Sequence, residues 1–114
     1  MPSLIPSDPG TIVFVRIQFS DGSDVKKRPA VILSVPKYHE QHSDAILVAL
    51  TTNVDHHYGD CLLDDWRSAG LPKPTKAKAF LATVDRATFE RKVGVLSHGD
   101  FQRVRESIRQ VLGF

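Results

Sequence analysis

The sequence predicts one small domain of the mainly β class with helices (α+β), strands first and a single helix last. Three observations carry this. Short runs rich in β-branched and aromatic residues alternate with Gly, Pro, Asn and Asp turn signals from Thr11 to Leu96. The apolar period then becomes helical over residues 98–112. Finally, 114 residues, 41% apolar and 25% charged, suffice for one core but fall below the usual ~150 residues per domain. Residues 1–114 are read as one domain with a Pro-containing tail over 1–9. Short strands joined by frequent turns make a small barrel or a sandwich.

The first strand is expected over Thr11–Phe19, TIVFVRIQF, between Pro9-Gly10 and Asp21-Gly22. A second is expected over Pro29–Val35, with Pro29 at its start, where no ladder donor is needed. Ala45–Thr51, AILVALT, is apolar on both faces and therefore central. Asp60–Asp64, Ala77–Val84 and Lys92–Leu96 are weaker strands. Trp66 is expected to anchor the turn Ser68-Ala69-Gly70 to the core. Ser97-His98-Gly99-Asp100 has the spacing of a capping box, and Phe101, Val104, Ile108, Val111 and Leu112 then form one apolar stripe. That stripe is expected to pack on the sheet, and Gly113 to end the helix.

A formal charge of +2 excludes a polycation that coats nucleic acid, and the apolar content excludes a disordered tail. Cys61 is the one cysteine, so the chain has no internal disulfide and no cysteine-based zinc site. No stretch approaches the ~18 apolar residues of a membrane span, and the N-terminus lacks the regions of a signal peptide. The expectation is a cytoplasmic protein. Charge is unevenly placed: residues 1–57 carry five basic and six acidic side chains, residues 58–114 ten and seven. Between Arg67 and Lys92, seven basic residues face only Asp85 and Glu90, a local field able to attract a polyanion.

Lys26-Lys27-Arg28-Pro29 runs into an apolar strand. Pro29 fixes its own φ and biases Arg28 to extended geometry, so the guanidinium leaves a stiffened backbone. Such a group at a sheet edge can grip a phosphate with a planar fork of donors, although it reads equally as a surface arginine after a turn. The preceding Ser20–Asp24 has the composition of a mobile flap. Thr51-Thr52-Asn53 ends the third strand with hydroxyls and an amide, groups that either contact phosphate or satisfy local backbone. If strands two and three pair antiparallel, Arg28 and Thr51 share one rim of the sheet. His39-x-x-His42 and His56-His57 sit in expected loops without the partners of a metal site, so no metal is expected. As imidazoles, His56 and His57 are candidates for a general acid or base, and read also as solvated loop histidines. Asp64 and Asp65, adjacent on a strand, face opposite ways. No phosphate-binding loop or nucleophile elbow is present, and no cofactor is expected.

Gly10-Thr11-Ile12-Val13, the block Lys27-Arg28-Pro29-Ala30-Val31-Ile32-Leu33-Ser34, and Val48-Ala49-Leu50-Thr51-Thr52 together resemble the PemK/MazF family of toxin endoribonucleases. Ala69–Thr75, Thr83–Arg86 and Val93–Ser97 resemble its PemK-like branch. The resemblance spans residues 10–97. It implies a small SH3-like or CcdB-type barrel with a C-terminal helix, acting as a homodimer. It further implies metal-independent, sequence-specific cleavage of single-stranded RNA, a cognate antitoxin as partner, and operator DNA bound together with that antitoxin. By motif it makes Arg28 and Thr51 the catalytic residues. Lys27, Thr52, Asn53, Lys73, Lys76 and Lys78 are expected RNA contacts, and His56, His57 and Asp24 are candidates for the unassigned acid or base. The loop before Arg28 departs from the family, with Gly22-Ser23-Asp24-Val25 in place of a Gly-Ser-Glu-Gln pattern. The rival functions are a non-catalytic RNA-, DNA- or antitoxin-binding module and a gyrase-directed toxin on the same barrel.

Overall fold

A computed structural model describes residues 7–18 and 25–114. Phe19 and the flap Ser20–Asp24, including the candidate acid or base Asp24, lie outside the described residues, as does most of the expected tail. The elements run β1 (Thr11–Ile17), β2 (Lys26–Ile32), α1 (Pro36–His39), β3 (Asp44–Thr51), β4 (Cys61–Leu62), β5 (Lys76–Asp85), a 3₁₀ turn (Arg86–Thr88), β6 (Arg91–Val95) and α2 (His98–Leu112). The strands form one curled antiparallel sheet in the order β4-β5-β3-β2-β1-β6, a half-barrel.

Both faces of this sheet are covered. On one, Ile12, Val31, Val48 and Leu50 pack with Leu63, Ala69, Leu71, Leu96 and Val104 beneath α2 and the turn around Trp66. On the other, Val13, Val15, Ala30, Ile32, Leu47 and Ala49 close against Phe89 as the sheet curls on itself. This explains why β3 reads apolar on both faces from Ala45 to Leu50: it lies inside the sheet with a core on each side. The turn at Ser68–Gly70 is anchored as its sequence predicts, with Trp66 packed on the first core and its carbonyl accepting the Leu71 N–H at 3.1 Å.

Proline 29 departs from expectation. The second strand begins at Lys26 rather than at Pro29, so the proline sits mid-strand, opposite Phe14 of β1. The hydrogen-bond phase explains how. Leu33 donates its N–H to Ile46 of β3 at 2.9 Å, whereas the Ile32 carbonyl accepts from Gly10 on the β1 side at 2.8 Å. Odd-numbered residues of β2 therefore face β3. Pairing with β3 covers only Ala30–Ile32, so the imide nitrogen of Pro29 points where no ladder partner is needed. Beyond Ala30 the two strands part.

α2 begins with the Ser97 hydroxyl accepting the Asp100 N–H at 3.2 Å and ends on Gly113 at φ +76°. Asp100 does not reach back to complete the box. Its buried carboxylate instead accepts the N–H groups of Asp64 (3.1 Å) and Asp65 (2.9 Å), tying the turn before Trp66 to the helix. Only the first part of the apolar stripe packs as expected: Phe101, Val104 and Ile108 meet the core, while Val111 and Leu112 are exposed. α1 was not foreseen; Pro36 opens it, and Arg86 covers its end, donating to the carbonyls of His39 (3.0 Å), His42 (3.1 Å) and Ser43 (3.2 Å). Among the described residues no helix is long and apolar enough to cross a membrane.

Candidate active site

A groove of about 280 Å³ opens where β2 and β3 part. Carrying the register of Ala30↔Ala49 two residues onward sets Arg28 opposite Thr51, and both line this groove. Pro29, Leu50, Lys27 and Thr52, their chain neighbours, line it with them. Arg28 is half-buried, with its Nε shielded from solvent, and Thr51 is half-buried at the end of β3. The juxtaposition inferred from antiparallel pairing is thus present.

The far wall was not foreseen. Gly70, Leu71, Pro72 and Thr75 come from the turn after Trp66, and Phe14, Arg91 and Val93 from β1 and β6. One extra residue in β6, at Val93, breaks the β1–β6 register between Ile12↔Gly94 and Val13↔Lys92. This bulge re-aims the strand toward the groove. The turn is seated on it backbone to backbone: a Cβ on Gly94 would lie 2.0 Å from the Ala69 carbonyl oxygen, and one on Gly70 2.5 Å from that of Val93. Only glycine permits that approach. The available signal was the pair Ala69-Gly70 and Val93-Gly94, whose contact no local pattern announces.

Three cations, Lys27, Arg28 and Arg91, line the groove, and no carboxylate or imidazole does so among the described residues. The Arg91 guanidinium lies 4.9 Å over the Phe14 ring, and Lys27 pairs with Glu90 at 2.9 Å just outside. This is a positive, partly apolar cleft with hydroxyls from Thr51, Thr52 and Thr75, suited to an anion that must be held in one orientation.

The remaining predicted residues are dispersed. Lys73 is exposed, one residue beyond Pro72 of the wall, and Lys78 is partly buried on β5. Lys76, expected as an RNA contact, is buried instead: its ammonium meets Asp60 Oδ2 at 2.6 Å and also donates to the Asp55 carbonyl. That correction follows from β4 pairing on its outer side, which closes over it. His56 and His57 are exposed on the loop beyond Thr52 and do not line the groove. The His57 amide N–H donates to Asp60 at 3.1 Å. Burial raises the Asp60 carboxyl, yet the hydrogen bonds from Lys76, Ala79 and His57 and the lysine charge outweigh it and hold the pKa below its ordinary value. His39 is engaged by Ser34, Oγ to Nε2 2.6 Å, and His42 stacks on Tyr38 at 4.2 Å between centroids. Asn53 is exposed beyond the end of β3, its N–H donating to Thr51 Oγ1 and its Oδ1 accepting from the Asp55 N–H, both at 3.2 Å.

The same architecture is found in solved toxin structures. The chain is similar to the Mycobacterium tuberculosis toxin MazF-mt6, with a TM-score of 0.74 at 19% identity over 91% of this chain and 97% of that one. It is similar to an endoribonuclease from Mycobacterial species in complex with its cognate antitoxin (TM-score 0.79, 14% identity, 96% and 97% covered). A third is the MazE-MazF structure (Form-II) from Deinococcus radiodurans (TM-score 0.73, 18% identity, 98% and 99% covered). At these identities the likeness is one of fold, and no curated protein matches the sequence. The family model of the PemK-like, MazF-like toxin of type II toxin-antitoxin system matches residues 8–112, and the chain belongs to that family. Its members are known as endoribonucleases.

Proposed function

We propose that the groove holding Arg28 and Thr51 is the cleavage site of a sequence-specific, metal-independent endoribonuclease that acts on single-stranded RNA and thereby inhibits translation. The observation that carries this reading is the convergence of Arg28 and Thr51 on one cationic groove at the point where β2 and β3 part. A single-stranded substrate suits such a groove, because splayed bases expose the edges a shallow surface can read.

In the proposed reaction the ribose 2′-oxygen attacks the adjacent phosphorus in line. The bond to the 5′-oxygen breaks, leaving a 2′,3′-cyclic phosphate and a 5′-hydroxyl; one proton leaves the 2′-oxygen and one reaches the 5′-oxygen. The groove contributes charge and position. Arg28 neutralises the crowded phosphorus oxygens, and Thr51 orients the phosphate or the attacking hydroxyl. Lys27 and Thr52 hold the backbone beside them, and Lys73 and Lys78 extend the contact beyond the groove. Arg28, Lys27 and Arg91 supply the positive charge that a metal ion supplies in other nucleases, which supports independence from metal. His56 and His57 stand away from the groove, and neither is assigned a proton-transfer role.

A cognate antitoxin, a second copy of the chain and, through the antitoxin, operator DNA are the proposed partners. The antitoxin complex of the Mycobacterial endoribonuclease and the MazE-MazF pair support the first of these. The test is primer extension on a long RNA incubated with purified protein in excess EDTA. Discrete stops with 5′-hydroxyl ends are expected; uncut RNA, or cutting only with added metal, overturns the reading.

A further inference from the structure

Thr51 is held by a chain of hydrogen bonds that ends on a buried ion pair. The Asn53 N–H donates to Thr51 Oγ1 at 3.2 Å, and the Asp55 N–H to Asn53 Oδ1 at 3.2 Å. The Asp55 carbonyl accepts from Lys76 Nζ, which meets Asp60 Oδ2 at 2.6 Å. Asp60 is fixed in turn by the N–H groups of Ala79 (2.9 Å) and His57 (3.1 Å). The Lys76 and Asp60 side chains are only 5% and 3% exposed.

The topology shows why the pair stands here. Lys76 opens β5 between two neighbours, Thr51 of β3 and Leu62 of β4. The loop from Thr52 to Asp60 must cross the end of β5 to join them, and it holds no strand or helix of its own. Such a loop drifts unless pinned. A buried lysine beneath it, gripping one loop carbonyl and the carboxylate at the loop's end, fixes both halves. The consequence reaches the groove. With a lone pair of Thr51 Oγ1 engaged by Asn53, the hydroxyl proton is left to donate outward, the direction a phosphate oxygen requires.

We propose that the buried Lys76–Asp60 pair, acting through Asp55 and Asn53, is a positioning device that sets the rotamer and donor direction of Thr51. This rests on the reading of Thr51 as part of the cleavage site. Lys76 and Asp60 touch no substrate. A buried pair is a costly way to fill space, and its retention here is accounted for by the loop geometry it imposes.

The test uses full-length Lys76→Met and Lys76→Arg. In wild type, the three-bond couplings to the Thr51 γ-methyl should report a single χ1 rotamer, and in Lys76→Met an averaged one. With circular dichroism still native, kcat for RNA cleavage should fall by about 10- to 100-fold, the scale of a catalytic group misplaced by about 1 Å. KM should change less than about twofold, since no phosphate contact is lost. Lys76→Arg should recover most of kcat. If Lys76→Met does not fold, the exposed link decides: Asn53→Ala should average the Thr51 rotamer and lower kcat, and Asn53→Ser should restore both. An unchanged rotamer with unchanged kcat, or a loss confined to KM, overturns the proposal. Should wild type leave RNA uncut, the cleavage reading fails by itself, and the couplings still decide the relay.

Discussion

Replacing Gly94 with alanine tests whether the groove's far wall is set by backbone contact. The new methyl would stand 2.0 Å from the Ala69 carbonyl oxygen and 2.7 Å from its carbon. Ordinary contacts lie near about 3.5 Å, so one backbone must retreat by roughly 1.5 Å. Neither is free to do so cheaply. Gly94 is paired with Ile12 in the sheet, and Ala69 is fully buried with its N–H bonded to Asp65 at 3.2 Å. Overpacking costs ~1–3 kcal/mol, and a clash of backbone against backbone belongs at the upper end. For a domain of this length, about 3 kcal/mol corresponds to a fall in Tm of roughly 10–15 °C. The same displacement draws Gly70, Leu71 and Pro72 away from Val93, widening the groove. Thermal melts followed by circular dichroism read the first effect and RNA cleavage kinetics the second, as a raised KM. A Tm within about 2 °C of wild type would show that the turn does not rest on β6.

Further outcomes follow from the buried polar groups. Asp100→Ala leaves the Asp64 and Asp65 N–H groups without their shared acceptor, and Arg103 without one of its two carboxylates. A loss of about 3 kcal/mol is expected in urea unfolding, and under 1 kcal/mol would contradict that tie. Stability should also fall with acid in two stages. His39 is held below its ordinary 6.5 by burial and then by the Arg86 charge, against an opposing pull from Asp8. Asp60 is held below 3.8. In each case the unfolded chain takes up its proton first as pH falls. The His39 contribution is therefore complete above about pH 6.5 and drains below it, and that of Asp60 is complete above about pH 3.8 and drains as pH drops further. Urea midpoints measured from pH 8 to pH 3 should show both stages, and His39→Gln should remove the upper one. A midpoint that rises on going from pH 7 to pH 5 would contradict the sign.

Much of this molecule was legible because its signals are local. β3 announces its central place by being apolar on both faces from Ala45 to Leu50, and α2 by Ser97, its stripe and Gly113. The approach of Arg28 to Thr51 needed only antiparallel pairing of two recognisable strands. What escaped depends on long-range phase. Pro29 reads as excluded from a strand interior, yet is permissible because its imide faces the side where pairing with β3 has ended. Lys76 stands among lysines in a basic stretch, and its partner Asp60 is brought to it by β4–β5 pairing. The Gly70–Gly94 contact joins two turn-like signals that have no period in common.

In the proposed cleavage, Arg28 is the group that stabilises charge at the scissile phosphate. Single-turnover cleavage of one mapped RNA, in excess EDTA, by wild type and by Arg28→Ala tests this most directly, with matched thermal melts showing both folded. A rate loss of at least about 100-fold is expected, the scale of losing a preorganised donor at developing charge. Cleavage by Arg28→Ala at the wild-type rate and sites would contradict it.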